Sequence, residues 1–409
     1  MKQDLDTLME QAGLDALLVS GSAAHNPAMF YFTGNVHIGF GDLIKQRGQE
    51  PVLFCHPMER EEAARTGIKT KNIAEYKITE LLKQTGGDPV QAMALRYQQM
   101  FTDMGLTTGR VSIYGLLDAA QSFAVFNALQ ALMPEIEIVG EMKDPVLSLA
   151  RETKDSDELE HTRKMGAVTV EVVSKTAEFL KSHKAKDGVL VKADGQPLTI
   201  GEVKRKINLW AIENGVENPH GVIFAIGRDA GIPHSTGNPD DVLALGKTIV
   251  FDIFLQEPGG GYHFDFTRTW CLGYAPEKVQ QLYDDVRAVF DQLMQETEAN
   301  MHFKILQDRT CELFEEQGHK TIRQDPLTQE GYVHSIGHGI GLDIHELPFS
   351  RPPEAVLRPG VIVTIEPGLY YPDQGMGCRL EDTVCVHPDG SIELMAEYPL
   401  DLVLPIENA

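Results

Sequence analysis

Asp252, Asp265, Glu366 and Glu381 each stand in a run whose other residues read as β-strand, and His338 and His345 lie among them in HSIGHGIGLDIHE. Asp252 ends the apolar run TIVFD, Asp265 sits in YHFDFTRT, Glu366 follows VIVTI, and Glu381 sits in CRLEDTVCV. Acids in such runs are rarely buried unless paired or bound to a cation. One alone reads as a strand end or a satisfied ion pair; four recurring on neighbouring strands do not. Gathered in one pocket they carry about four negative charges, which two divalent cations would neutralise. Four carboxylates with one imidazole make an oxygen-rich donor set. That set favours divalent manganese, iron or cobalt over a thiolate-type zinc site, with zinc still open and magnesium less natural beside a histidine.

Arg379 lies two residues before Glu381, so on a strand both face one side, and Arg379 can orient a carboxylate or a substrate. Glycines around His338 let the backbone approach closely there. His234 is a weaker signal, on the loop IPHST before the Asp252 strand. His263, His334 and His387 read as structural.

These residues need elements to hold them. The pattern over the first 150 or so residues is α/β, with strands at Ala16–Ser20, Pro51–Phe54, Arg110–Tyr114 and Glu137–Val139 and helices at Asp4–Ala12 and Gln121–Leu132. The polar stretch Ala150–Asp157 (ARETKDSD) reads as a hinge, and domains are expected at 1–152 and 153–409. Beyond it, Asp155 with Glu158 and Thr199 with Glu202 form capping boxes for two helices, the second closed by Asn214-Gly215. A third helix is predicted over Glu277–Asn300. Thr248–Leu255 and Tyr262–Leu272 flank EPGGG as a hairpin, and Val361–Ile365 and Arg379–Val386 read as further strands. The second half is therefore α+β, helices on an antiparallel sheet.

The bulk chemistry sets limits. Thirty-six basic against sixty acidic side chains leave a net charge of −24, which repels nucleic acid and anionic membrane. The chain has no apolar run long enough to span a bilayer and no secretory start, and its five cysteines form no CxxC pair. A cytoplasmic protein with reduced thiols is the expectation.

In order along the chain, PHSTG, DFTRT, GHGIGLDIHE, TIEPGLY and RLEDT resemble the motifs of the pita-bread metallopeptidases: Xaa-Pro dipeptidase (prolidase), Xaa-Pro aminopeptidase and methionine aminopeptidase. The resemblance covers about residues 155–405. The first 150 look like the N-terminal domain of prolidase, aminopeptidase P and creatinase, which methionine aminopeptidases usually lack. It implies a pita-bread catalytic domain, helices on a curved antiparallel sheet, behind a smaller α/β domain. It implies Asp252, Asp265, His338, Glu366 and Glu381 as ligands of two divalent ions, Asp265 and Glu381 bridging. It also implies His234, His345, Glu366 and Arg379 as catalytic residues, hydroxide attack on an Xaa-Pro bond, a short peptide substrate and a homodimer.

Two departures stand out. Asp252 and Asp265 are thirteen residues apart where the family has a shorter hairpin, and Phe254 replaces a usual glycine. They bear on the pocket's shape and hence on the substrate. A metal-dependent lyase or amidase acting on a non-peptide small molecule, or a non-catalytic binding homologue, are the alternatives on this scaffold.

Overall fold

The computed structural model describes residues 4–143 and 145–408. The chain divides into two compact units, one reaching Ala150 and including Gly259–Gly261, the other formed by Arg151–Pro258 and the residues from Tyr262 onward.

The first unit is built on a mixed sheet of β1 (Ala16–Gly21), β2 (Gly41–Gln46), β3 (Val52–Cys55), β4 (Lys69–Asn72), β5 (Gly109–Gly115) and β6 (Ile136–Val139), in the order β4-β3-β2-β1-β5-β6. Strand alternation sends Leu17 and Val19 into one apolar cluster and Ala16 and Leu18 into another, so both faces of β1 are covered. Two strands escaped the sequence pattern. In β2, Asp42 and Lys45 are buried and break the apolar run; Lys45 Nζ is satisfied by Asp6 at 2.6 Å and by the carbonyl of Gln49 at 2.7 Å. In β4 the sequence KTKN is polar because it is a solvated edge, where lysines discourage further pairing.

In the second unit both predicted capping boxes are present, on the Ser156–Lys181 and Ile200–Glu213 helices. The Glu277–Glu296 helix ends four residues before the predicted Asn300, where Thr297 turns extended. A further helix, Phe303–Glu316, buries Phe303, Leu306, Thr310 and Phe314 at helical spacing.

The remaining strands are a small hairpin, β7 (Lys184–Lys186) and β8 (Val189–Val191), then β9 (Val222–Ile226), β10 (Thr248–Gln256), β11 (His263–Leu272), β12 (His338–Gly339), β13 (Glu346–Phe349), β14 (Ile362–Ile365), β15 (Gly368–Tyr371), β16 (Met376–Arg379), β17 (Asp382–Val386), β18 (Ile392–Leu394) and β19 (Val403–Leu404). They form a sheet β19-β11-β10-β9, a sheet β13-β12-β14-β17-β18, and the pairs β15-β16 and β7-β8. On β10, Ile249, Phe251, Ile253 and Leu255 join the same apolar cluster as the helical residues Val172 and Val203. Period two therefore turns Asp252 and Phe254 to the other face. The same alternation on β11 buries Phe264 and Phe266 in that cluster and turns out Asp265 and Thr267.

Asp252 lies inside its strand, as the predicted span Thr248–Leu255 requires. One expectation changes. The Arg379–Val386 strand is broken at Leu380–Glu381, where the chain leaves the β15 ladder for that of β14, and Glu381 instead bridges to Thr267.

Asp155→Ala removes the acceptor for the Asp157 and Glu158 amides. It should cost about 1 kcal/mol of unfolding free energy, read by urea denaturation.

Candidate metal centre

One cavity of about 270 Å³ is lined by His234, Asp252, Asp265, His338, His345, Glu366, Arg379 and Glu381, with Ile223, Phe254 and Ile344 as its apolar wall. All eight residues singled out from sequence thus meet in one place.

Register explains the convergence. Asp252 pairs with Thr267 and Phe254 with Asp265 across the β10-β11 hairpin. The Glu381–Thr267 bridge brings in the third carboxylate, with the Glu381 amide 3.1 Å from the Thr267 carbonyl. Glu366 follows β14, its amide bonded to the Ile336 carbonyl at 2.9 Å. His338 arrives on a two-residue strand between glycines. A Cβ on Gly337 would fall 2.0 Å from the Thr364 carbonyl oxygen, and one on Gly339 would fall 2.1 Å from that of Leu347. The close approach demands glycine on both sides.

The polar groups are poorly satisfied by protein alone. His338 Nδ1 lies 3.0 Å from the Gly339 carbonyl, a contact that requires the proton on Nδ1. Its Nε2 lone pair then points at Asp265 Oδ2, 3.8 Å away, and Glu366 Oε1, 3.6 Å away. Burial, reinforced by His345, holds the His338 pKa near 3, so the ring cannot answer those acids as a cation. Asp252 Oδ1 is buried with no hydrogen-bond donor. Burial first, and then the neighbouring carboxylates, push Asp265 and Glu381 well above the usual carboxylate range. Glu366 is raised to about 8 by burial, against the opposing pull of Arg379. Atoms of Asp265, His338 and Glu381 lie within 4.8 Å of one another. A lone pair facing carboxylates that repel one another is a donor set without an acceptor, and divalent cations fit it.

Arg379 is the fixed cation of the site. Its NH2 donates to Asp252 Oδ2, Nε to Thr267 Oγ1 at 3.3 Å, and NH1 to the Pro233 carbonyl at 3.2 Å and Tyr370 Oη at 2.7 Å. Through Pro233 it also holds the loop carrying His234. The strand-parity reasoning for Arg379 and Glu381 assumed an unbroken strand; they line the same cavity although it is broken.

Sequence reasoning missed three supporting residues. Thr267 donates to Glu381 Oε2 at 2.7 Å. Tyr370 donates to His334 Nε2 at 2.9 Å, because His334 Nδ1 is committed to the Ser335 carbonyl. His334, read as structural, lies 4.0 Å from Glu366 Oε2. Thr267 and Tyr370 stand inside DFTRT and TIEPGLY, so position in those motifs was the available signal.

Fold and site together define a class: a pita-bread domain with an acid-rich centre, carried with a smaller N-terminal domain. The chain belongs to metallopeptidase family M24, whose model matches residues 160–388, and the creatinase/prolidase N-terminal domain model matches residues 2–140. Family membership implies divalent metal.

The chain is 27% identical over 405 residues to an Xaa-Pro dipeptidase of Pyrococcus furiosus, covering 96% of this chain and 98% of that one. It is 30% identical over 292 residues to a probable dipeptidase PepE of Mycobacterium tuberculosis, covering 69% of this chain and 71% of that one. An Xaa-Pro dipeptidase structure from Bacillus anthracis has a TM-score of 0.74 at 20% identity over 98% of both chains, a likeness of fold.

Above pH 6.5 a histidine is neutral in the unfolded chain, as His338 is when folded. Glu366 keeps its proton in the metal-free fold to about pH 8 but has lost it near 4.5 in the unfolded chain. The fold therefore holds the extra proton, and its stability falls as pH rises from 6.5 to 8. Thermal melts of chelator-treated protein should show Tm dropping across that window, and added divalent cation should abolish the drop.

Proposed function

We propose that this protein hydrolyses the bond between an N-terminal residue and a following proline in short peptides, using a dinuclear divalent centre. One observation carries this reading: His338 Nε2 and the four carboxylates share one small cavity with His234, His345 and Arg379. In this reading Asp252, Asp265, His338, Glu366 and Glu381 hold the ions, Asp265 and Glu381 being shared. Manganese is favoured by the oxygen-rich set, with cobalt, iron or zinc as substitutes. Held by these residues, such ions would supply an acidified water and Lewis-acid stabilisation of a peptide carbonyl.

The chain's own groups do the rest. A prolyl nitrogen has no N–H and must be protonated as its bond breaks, which needs a positioned acid. Glu366 carries that proton in this reading. In this reading His234 and His345, which line the cavity, donate to the oxygen on which charge develops. Arg379 fixes Asp252 and the His234 loop against that charge.

At about 270 Å³ the cavity is below the usual range for drug-sized ligands, in keeping with a dipeptide rather than a long chain. The names of the dipeptidase relatives support the same choice. No helix among the described residues is long and apolar enough to cross a membrane, and all five cysteines are free and buried. We place the protein in the cytoplasm on the thiols, and as a homodimer on its resemblance.

Manganese-loaded protein should release proline from Met-Pro and act more slowly on a tripeptide with the same start; the reverse order would make it an aminopeptidase. If neither is cut, the second reading, a non-peptide small-molecule substrate admitted past Phe254, takes its place. Asp265→Asn should lower kcat by about a thousandfold or more, on the scale of losing a centre's main electrostatic group. Turnover within tenfold of the parent would remove Asp265 from the shared position.

A further inference from the structure

Within the polar stretch Ala150–Asp157, where the two units divide, part of the charge is buried. Arg151 and Lys154 are buried, their side chains 10% and 1% exposed, and both converge on Glu346, which is 5% exposed. Arg151 Nε donates to Glu346 Oε1 at 3.1 Å and its NH2 reaches the same oxygen; Lys154 Nζ donates to Oε2 at 3.1 Å. The Arg151 NH2 also donates to Asp343 Oδ2 at 2.6 Å.

Glu346 is more than the partner of two cations. Its Oε1 accepts the Asp343 amide at 3.0 Å, closing the turn that runs from Gly341 to His345. A Cβ on Gly341 would fall 2.6 Å from Glu346 Oε2, so this carboxylate packs directly beneath the turn. At its other end the turn is tied to β11, the His263 amide bonding the Gly341 carbonyl at 2.7 Å. The Lys154 amide is itself fixed to the Gly360 carbonyl at 2.7 Å, and Thr153 bridges to Val361.

His345 depends on this turn. Its imidazole has an edge contact with the His338 ring, centroids 4.3 Å apart, and no recorded hydrogen bond to any described residue. With no anchor of its own, the ring stands where the backbone puts it.

We propose that Arg151, Lys154 and Glu346 form a buried strut whose role is to position His345, and through ring contact His338, at the catalytic cavity. The inference rests on the proposed role of His345 in the peptidase reading. A buried ion cluster is often no more stabilising than apolar residues of similar volume, so its contribution here is geometric. Burial would raise the Glu346 pKa, but Arg151 and then Lys154 overcome it and hold it near 2, so the strut stays charged through any working pH.

The test uses full-length Glu346→Gln, with Glu346→Asp as a milder variant that keeps both cations paired but shortens the strut. Each is read by kinetics and by the imidazole ¹H–¹⁵N spectrum of histidine-labelled protein without substrate. Displacing a catalytic group by about 1 Å costs up to about a hundredfold. The strut predicts kcat lower by about tenfold or more with KM within about threefold, and shifted His345 and His338 signals. His183, remote from the strut, should keep its signal. If Glu346→Gln fails to fold, Glu346→Asp gives the same readings. Unmoved His345 signals and unchanged kcat in either folded variant overturn the strut. If the parent protein cuts no Xaa-Pro peptide, the spectra still decide the positioning claim separately from the substrate.

Discussion

Mutual repulsion among buried carboxylates is the constraint around which the second unit is arranged. Two like charges 4 Å apart repel by about 4 kcal/mol at the effective dielectric of a protein, and four acids in one small cavity multiply that cost. Arg379 relieves Asp252 alone by direct contact. Burial first, and then the neighbouring carboxylates, push Asp265 and Glu381 upward, and burial raises Glu366 against the pull of Arg379. A fold keeps such an arrangement only when the surrounding structure over-determines it. Here β10 and β11 share nine register pairs, both packed on their far face against helices.

The histidines add a second constraint, which is directional. Nδ1 of His338 is committed to a carbonyl one residue away, leaving a fixed lone pair rather than a mobile proton. Glycines at 337 and 339 make that placement achievable, because any side chain would strike backbone oxygens of the flanking segments. Charge, tautomer and backbone clearance are separate requirements. The last two are met by residues adjacent to His338 in the chain.

Much of this was legible in the sequence where chemistry and periodicity conflicted. Asp252 and Asp265 stood out because an acid in an apolar strand needs a reason, and both capping boxes were visible because the pairing is local. What escaped depended on distant partners. β2 looked unlike a strand because Asp42 Oδ1 and Lys45 Nζ find partners elsewhere in the chain. The burial and pairing of Arg151 and Lys154 escaped for the same reason, since their acceptor is nearly two hundred positions away. The break at Leu380–Glu381 was invisible because it arises from a change of sheet partner, not from a turn residue.

Arg379 illustrates how little freedom such a centre leaves. One planar guanidinium serves a carboxylate, a hydroxyl, a phenol and a main-chain carbonyl from three nitrogens at fixed angles. Lysine would bring the same charge but a single nitrogen, able to reach only part of that set. The exchange usually counted as conservative is therefore not interchangeable at this joint. Drift here is blocked by shape even where net charge would permit it.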